Sequence, residues 1–537
     1  MRKILALSLA LMMVLALVLT GCGGNSNTTT TAATTAATTA AGTTAAGTTA
    51  AATTAAPSAD PVTVHWWSPS GSVNHPDKDA VYKHLCDMFL NDLNVDMNLH
   101  FFTSAEYAEK ANAAMSAAQP MDIAQTNSSR LVFTTWVNRG GFMGIKSLLE
   151  EHATGTYEVI PDWCWEAVTV DGEIYAIPSY KDVVTSMGFI YNYTLLNEFG
   201  MPNAVEDLNF CTARDLDALA YEVKELRDAA HPDWAKHAVI GLRNNYQQYY
   251  QADQLASVAF TAIDGFFLED EGLADGTKVF NLYDTVEHAE AMKLIKRWVD
   301  DGIYPYDAEN YDPDGIMSQS GSRLGAFSFG TVAVERNQYE NYEQILVQPR
   351  QTFATTTYVH GAMNGIAAHS TAPVEAIKCI DKMYTDSIYA TTWRFGIQGT
   401  HWNPVEIDGK IRADFTGTKN ADPSNRGFYS WYHAEMGNLF ACYLPTFQDD
   451  QFYEKLDAMN SSACVSVNMG FLANVEKIEN EIAACSGVVS EYDKQLKYGL
   501  VEVDPSLTAF NEKLYANGAQ VIVDELQAQL DAWRASK

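Results

Sequence analysis

The sequence predicts an α/β body of two lobes joined by a hinge. Three observations carry that prediction. Residues Val62 to Asn138 alternate strand and helix patterns in the order β-α-β-α-β, which implies parallel strands with crossover helices. Two extended runs meet at a short polar and aromatic joint, Ile177 to Asp182, before the chain moves on to a different set of elements. A second extended run bearing glycine, Tyr358 to Ala367, returns much later in the chain. A joint and its return partner are what two lobes require.

The chain begins with a leader. Arg2 and Lys3 precede the apolar run Ile4 to Leu19, which is short for a membrane span and ends in Leu19-Thr20-Gly21-Cys22. That ending resembles the lipobox of bacterial lipoproteins. The resemblance implies cleavage before Cys22 and acylation of its thiol, making Cys22 an anchor rather than a nucleophile. An ordinary signal peptide with an incidental cysteine is the alternative. Residues 25 to 56 are almost entirely Thr, Ala, Gly, Ser and Asn, without charge or aromatic side chains. Such a segment cannot bury enough apolar surface to offset its ordering entropy, so it reads as a flexible tether.

The body from Asp60 onward is long enough for two cores. The whole chain carries 67 Asp and Glu against 35 Lys and Arg. That excess argues against nucleic acid or an anionic membrane face as partner. Beyond Cys22 the cysteines are Cys86, Cys164, Cys211, Cys379, Cys442, Cys464 and Cys485, an odd number with no C-x-x-C spacing. Neither a zinc site nor a thioredoxin-like site is signalled. One or two disulfides, or buried free thiols, remain the open readings.

Along the body, Val62 to Trp67 alternates as a strand, Asp79 to Leu93 has helical apolar spacing, and Val95 to Phe102 is a second strand. Ala105 to Ala118 is a helix, Pro120 to Gln125 a third strand, and Val132 to Asn138 opens another helix. Asp171-Gly172 is a hairpin dipeptide, because glycine reaches positive φ without steric cost. Glu173 to Ile177 then reads as a half-buried strand stopped by Pro178, with Ser179, Tyr180 and Lys181 exposed after it. Val183 to Tyr191 is extended. Helices follow at Arg214 to Asp228, Val286 to Asp301 and Pro373 to Tyr384, with short strands near Val239, Leu324 and Ile345. The chain ends in amphipathic helices between Val501 and Trp533. In parallel sheets ligands sit at the carboxyl ends of strands. Those ends are Trp66 to Ser70, Asn127 to Ser129 and the Pro178 joint, which therefore converge on one edge.

With these features in order, the sequence resembles family 1 of the extracellular solute-binding proteins of bacterial ABC importers. The lipobox, the segment D-G-E-I-Y-A-I-P (Asp171 to Pro178) and the return at Val359 to Ala367 carry the resemblance. The loop Phe395 to Trp402, F-G-I-Q-G-T-H-W, is similar to a G-I-E-G-x-x-Y pattern of a lipoprotein branch, with Gln398 and Trp402 departing from it. The run from Asn468 to the final helix looks like that branch's distinctive C-terminal domain. The resemblance implies a periplasmic-binding-protein-like fold that closes on a solute, commonly an oligosaccharide, and delivers it to a permease. It places lobe 1 at residues 60–178 plus 360–395 and lobe 2 at 179–359 plus 396–537, behind a leader (1–21) and tether (22–59). It implies a monomer held on the outer face of the membrane by its lipid.

Aromatic faces stack on the C–H patches of a pyranose while amides and carboxylates bind its hydroxyls. The aromatic candidates are Trp66 or Trp67, Tyr180, Tyr246, Trp402 and Trp431. Neighbouring strand residues point oppositely, so one of Trp66 and Trp67 faces the cleft; Trp67 is the choice. The polar candidates are Ser70, Asn127, Ser128, Lys181 and His360. Core packing is the competing reading for each ring, and turn hydrogen bonding for the polar groups. No G-x-S-x-G, H-E-x-x-H or phosphate-loop motif is present, and no carboxylate pair stands out as acid and base. The acidic run Asp307 to Gly315 lacks EF-hand spacing and reads as a solvated loop. The expectation is thus a binding protein, not an enzyme, with neither cofactor nor metal. A secreted glycan-active hydrolase and a stalked surface adhesin are the rival readings.

Overall fold

A computed structural model describes residues 60–184, 187–204, 213–235, 237–241, 253–255, 258, 260–263, 275–304, 327–331, 337–339, 342–347, 352–430, 436–448 and 450–537. The body, Asp60–Lys537, is one compact unit. Its first sheet has the strand order Val95–Phe102, Val62–Pro69, Ile123–Thr126, Met363–Ile366, Ile177–Pro178. The first three run parallel, with Val62 opposite Val95 and Trp66 opposite Ile123. The connecting helices explain why. Helix Lys78–Leu93 buries Val81, Leu85 and Phe89 on one face and is ended by Asn94 at φ 55°, a left-handed residue that turns the chain into the next strand. Helix Ser104–Ser116 starts at a reciprocal cap between Thr103 and Glu106. Each crossover returns the chain in the same direction. Met363–Ile366 pairs antiparallel with both Ile123–Thr126 and Ile177–Pro178. The late return strand therefore lies beside the early joint.

The Asp171-Gly172 turn forms as expected. Asp171 has φ 51° and Gly172 φ 82°, and Val170 pairs with Glu173 across them. The single strand expected from Glu173 to Ile177 is instead two. Glu173–Ile174 closes the hairpin, and Ile177–Pro178 joins the first sheet.

The chain then crosses to a second sheet, ordered Asn337–Tyr339, Tyr342–Val347, Met187–Asn192, Phe327–Thr331, Ile240–Gly241. A separate core forms here. Tyr191, Leu216, Leu282, Ile295 and Trp298 pack with Phe510, Leu514, Ile522, Leu526 and Leu530 from the C-terminal helices. Those helices are Glu479–Lys497, Val503–Ala516 and Ala519–Ser536. Full burial of an aliphatic or aromatic side chain contributes roughly 1.5–3 kcal/mol, so the apolar stripes of these helices fix them to this lobe.

The lobe boundary expected at residue 396 is corrected by the cores. Phe428, Met436, Leu439, Leu444, Phe452, Leu456, Met459 and Met469 all pack into the first core. Phe395, Trp402, Ala413, Phe415 and Tyr429 form a satellite cluster of their own. A helical stripe reveals that Phe452 and Leu456 are buried, but not against which core. The chain therefore rejoins the first core by Ala354 and Val359 and leaves it again near Met469–Phe471, a third crossing among the described residues. A short parallel ladder, Phe353 with Cys464 and Ala354 with Val465, ties the second crossing to the third. Cys86, Cys164, Cys379, Cys442, Cys464 and Cys485 are free thiols.

Candidate functional site

The carboxyl ends of Val62–Pro69, Ile123–Thr126 and Ile177–Pro178 meet the entry to Met363–Ile366 on one edge. Backbone bonds stitch that edge together. Ser70 N–H donates to Phe102 O (2.8 Å), Ser128 N–H to His360 O (3.0 Å) and Ser179 N–H to Ala362 O (3.0 Å). Tyr180 N–H donates to Gly437 O (3.1 Å), and Leu439 N–H to Tyr180 O (2.8 Å). Ser70, Asn127, Ser128, Tyr180, Lys181 and His360 are thus brought to one sheet edge, as the strand order predicts.

Their side chains are committed to different degrees. Asn127 is buried, and its Oδ1 accepts from the N–H groups of Ser129 (2.8 Å) and Arg130 (2.7 Å), an Asx turn. Ser70 is buried with Oγ 3.4 Å from the Tyr82 hydroxyl. Ser128 is half-buried. Lys181 is half-buried and its Nζ lies 2.6 Å from the Asp182 carboxylate. Ser179 and Tyr180 are not exposed as expected. Tyr180 packs on Phe440 with ring centres 4.9 Å apart, and its hydroxyl donates to Asp457 (3.3 Å). Burial and then the Asp457 charge push that hydroxyl up to about 12.

Three further expectations of an open side chain are corrected. His360 is buried, edge-on to Phe133, with Nε2 2.7 Å from Ala167 O. Burial pulls its pKa down to about 4, so the ring is neutral. Trp67 donates its indole N–H to Pro120 O (3.0 Å) and stacks on His100 at 4.7 Å. The pleat does send Trp66 and Trp67 to opposite faces, but both faces of this sheet are covered, so both rings are buried. Trp402 is fully buried and donates its N–H to Gly396 O (2.8 Å).

The Gly396 to Trp402 loop is a structural knot. Gly396 has φ 86°, and a Cβ there would meet the His401 ring at 2.8 Å. His401 Nδ1 accepts from Ile397 N–H (3.0 Å), while its Nε2 lies 3.1 Å from Asp77. Lys419 hydrogen-bonds Asp77 and holds that carboxyl below its ordinary range. Tyr246, Trp431, Cys22 and the acidic run from Asp307 lie outside the described residues.

Two features escaped sequence reasoning. Arg130 is half-buried at the same edge, its Nε donating to Ser104 Oγ (2.6 Å). Its signal was an arginine directly after a polar strand end. Asp253 is buried between the lobes and accepts from the Ser466 hydroxyl (2.5 Å). Burial raises its pKa to about 6. It lines a crevice of about 20 Å³ with Thr134, Thr356, His360, Asn468 and Phe471. That space holds about one water and excludes a sugar ring. Nearby, the Thr357 hydroxyl donates to Gln254 O (2.6 Å), and Arg139 lies 3.5 Å from Glu479. No cluster of three or more His, Cys, Asp or Glu suited to a metal is present among the described residues.

Comparison with known proteins places this geometry. A curated relative from Streptococcus pneumoniae serotype 4, a carbohydrate ABC transporter substrate-binding protein, is 22% identical over 451 residues, 82% of this chain and 85% of that protein. The crystal structure of the N-glycan transport solute-binding protein NgtS from S. pneumoniae superposes with a TM-score of 0.73 at 19% identity, over 88% of this chain and 98% of that one. This chain has the solute-binding-protein fold. The S. pneumoniae ABC-transporter substrate-binding protein FusA in complex with kestose also matches, with a TM-score of 0.56 at 14% identity over 88% of this chain and 100% of that one. Residues 467–535 match a family model described as a domain of unknown function, DUF3502. In this solute-binding fold that domain comprises the end of the third crossing and the three C-terminal helices.

Proposed function

We propose that this protein is the solute-binding component of a carbohydrate ABC importer, taking an oligosaccharide between its lobes and delivering it to the permease. The observation that carries the reading is the relative matched over 82% of the chain, itself a carbohydrate ABC transporter substrate-binding protein. The architecture supports it. Two separately packed cores joined by short crossings are the arrangement that hinge closure needs. Ligand contacts made only with both lobes together stabilise the closed state, so binding and closure are linked. At the lobe 1 edge we assign ligand contact to Ser70, Asn127, Ser128, Tyr180 and Lys181, with Arg130 beside them. Tyr246 and Trp431 supply stacking faces. Acylation of Cys22 holds the protein on the outer face of the membrane.

Solved relatives were crystallised with Man5GlcNAc and with kestose, so both glycans are the first probes. A ligand that binds the native state raises its apparent stability by mass action. The expected result is a rise in Tm with one of these glycan classes, and compaction in small-angle scattering. No shift with any glycan overturns the carbohydrate assignment. Turnover of the glycan at catalytic protein levels overturns binding without hydrolysis. A glycan-induced shift without compaction favours a surface adhesin.

A further inference from the structure

His65 and His100 lie on neighbouring parallel strands of the first sheet. His100 sits opposite Trp67, so His65 is its diagonal neighbour on the same face. His65 Nδ1 is 3.0 Å from His100 Nε2, and the two rings stack with centres 5.3 Å apart. Metal–imidazole bonds are about 2.0–2.1 Å long, so two nitrogens at this spacing subtend an angle of about 94° at a shared ion. A tetrahedral angle needs nitrogens about 3.3 Å apart, whereas the near-right angle suits the cis positions of a tetragonal ion. We propose that His65 Nδ1 and His100 Nε2 chelate one divalent ion of the Cu(II) or Ni(II) class, with water in its remaining positions.

The surroundings favour this use of the pair. Both rings are half-buried, which leaves solvent access for the water ligands. The 3.0 Å contact is a hydrogen bond, so one facing nitrogen carries a proton in the metal-free pair; moving that proton to the ring's other nitrogen leaves both facing nitrogens with lone pairs for the ion. The strand positions are fixed. Asp122 accepts the His65 backbone N–H at 2.8 Å, and the Trp67 indole lies flat on His100 with an interplanar angle of 17°. With two protein ligands the site is a simple chelate, not an enclosed structural centre.

Trp67 also provides a reporter, because a paramagnetic ion on His100 quenches a stacked indole. The test is titration of the tag-free full chain with Cu(II) at pH 7.5, by calorimetry, tryptophan fluorescence and electron paramagnetic resonance. One equivalent is expected, with coupling to two imidazole nitrogens and quenching that is lost in Trp67→Phe. His65→Gln and His100→Gln should each weaken binding at least tenfold. Equal binding by wild type and the double variant overturns the proposal. So does a wild-type spectrum with fewer than two coupled nitrogens, a result that stands even if a variant fails to fold.

Discussion

At the first crossing, the side-chain bonds on Pro178 to Val183 run to lobe 1. Asn460 donates to Lys181 O (2.6 Å) and accepts from Val183 N–H (3.3 Å). Asp457 accepts from the Tyr180 hydroxyl, and the Tyr384 hydroxyl donates to Pro178 O (2.8 Å). At the third crossing the partners are divided. Ser466 N–H donates to Ala354 O (2.8 Å), while its hydroxyl reaches Asp253 in the second lobe. Asn468 donates to Gly276 O and accepts from Arg534 (both 3.0 Å). Gly470 N–H donates to Thr356 Oγ1 (2.9 Å). One crossing is a rigid extension of a lobe up to Val183. The other is bonded to both lobes and must feel any change in their spacing.

The largest test of that difference is Gly470→Ala. Gly470 has φ 86°, and a Cβ there would stand 2.6 Å from Glu166 O of lobe 1. Left-handed backbone costs a residue with a Cβ on the order of 1–3 kcal/mol, and the displaced carbonyl adds to it. Chemical denaturation should show a loss of about 3 kcal/mol, with a changed scattering profile of the folded protein. An unaltered profile and a loss below about 1 kcal/mol would remove Gly470 from the crossing's mechanics.

Asp253→Asn is the next test. Asp253 has its folded pKa raised to about 6, because burial opposes its charge more than the Ser466 hydroxyl favours it. The stability linked to its proton is fully present below the unfolded value near 4 and is lost as pH rises through about 6. Tyr358 is buried near Asp253, and His360 lines the same crevice. Burial keeps both neutral across this window. Wild-type stability relative to Asp253→Asn should therefore fall by about 1–3 kcal/mol between pH 4.5 and 7.5. A pH-independent difference would contradict the buried carboxyl.

The contrast between the crossings also separates what the sequence revealed from what it hid. The parallel strands, their helices, the Asp171-Gly172 turn and the joint at Pro178 are local patterns, and they were readable. The third crossing was not. Cys464 to Gly470 has no periodicity, and its ladder is two residues long. Burial of a loop aromatic was hidden for a related reason. Trp402 follows glycine and histidine in a polar stretch, and only its folded-back indole N–H reveals a core residue. The cover on the Trp67 face comes from a separate element, the helix Ser104–Ser116, whose Tyr107 hydroxyl donates to Trp67 O (3.3 Å) and whose Tyr107 ring packs on Phe102 beside the Trp67 indole. The sheet edge was predictable from strand order, whereas the fate of each side chain on it depended on neighbours distant in sequence.

Tyr180→Phe probes the first crossing more gently. It keeps the packed ring and removes the hydroxyl's bonds to Asp457 and Asn460. The expected loss is about 1 kcal/mol by denaturation. A rigid crossing adds a second expectation, an unchanged scattering profile. Compaction or expansion in this variant would erase the distinction drawn from Gly470.

The smallest effect belongs to Arg139 and Glu479, which face each other across the lobes. Their side chains are 49% and 59% exposed, and the closest approach is 3.5 Å. Exposed pairs of this kind contribute about 0.2–1 kcal/mol and are screened by salt. A double-mutant cycle of Arg139→Ala and Glu479→Ala should give a coupling at the low end of that range, falling toward zero in 1 M salt. Glycan affinity provides the sharper reading, because an ion pair spanning two lobes biases their spacing even when its contribution to folding is small. A coupling in binding that exceeds the coupling in stability would identify the pair as part of the opening and closing equilibrium. Equal and vanishing couplings would place the pair outside the opening and closing equilibrium.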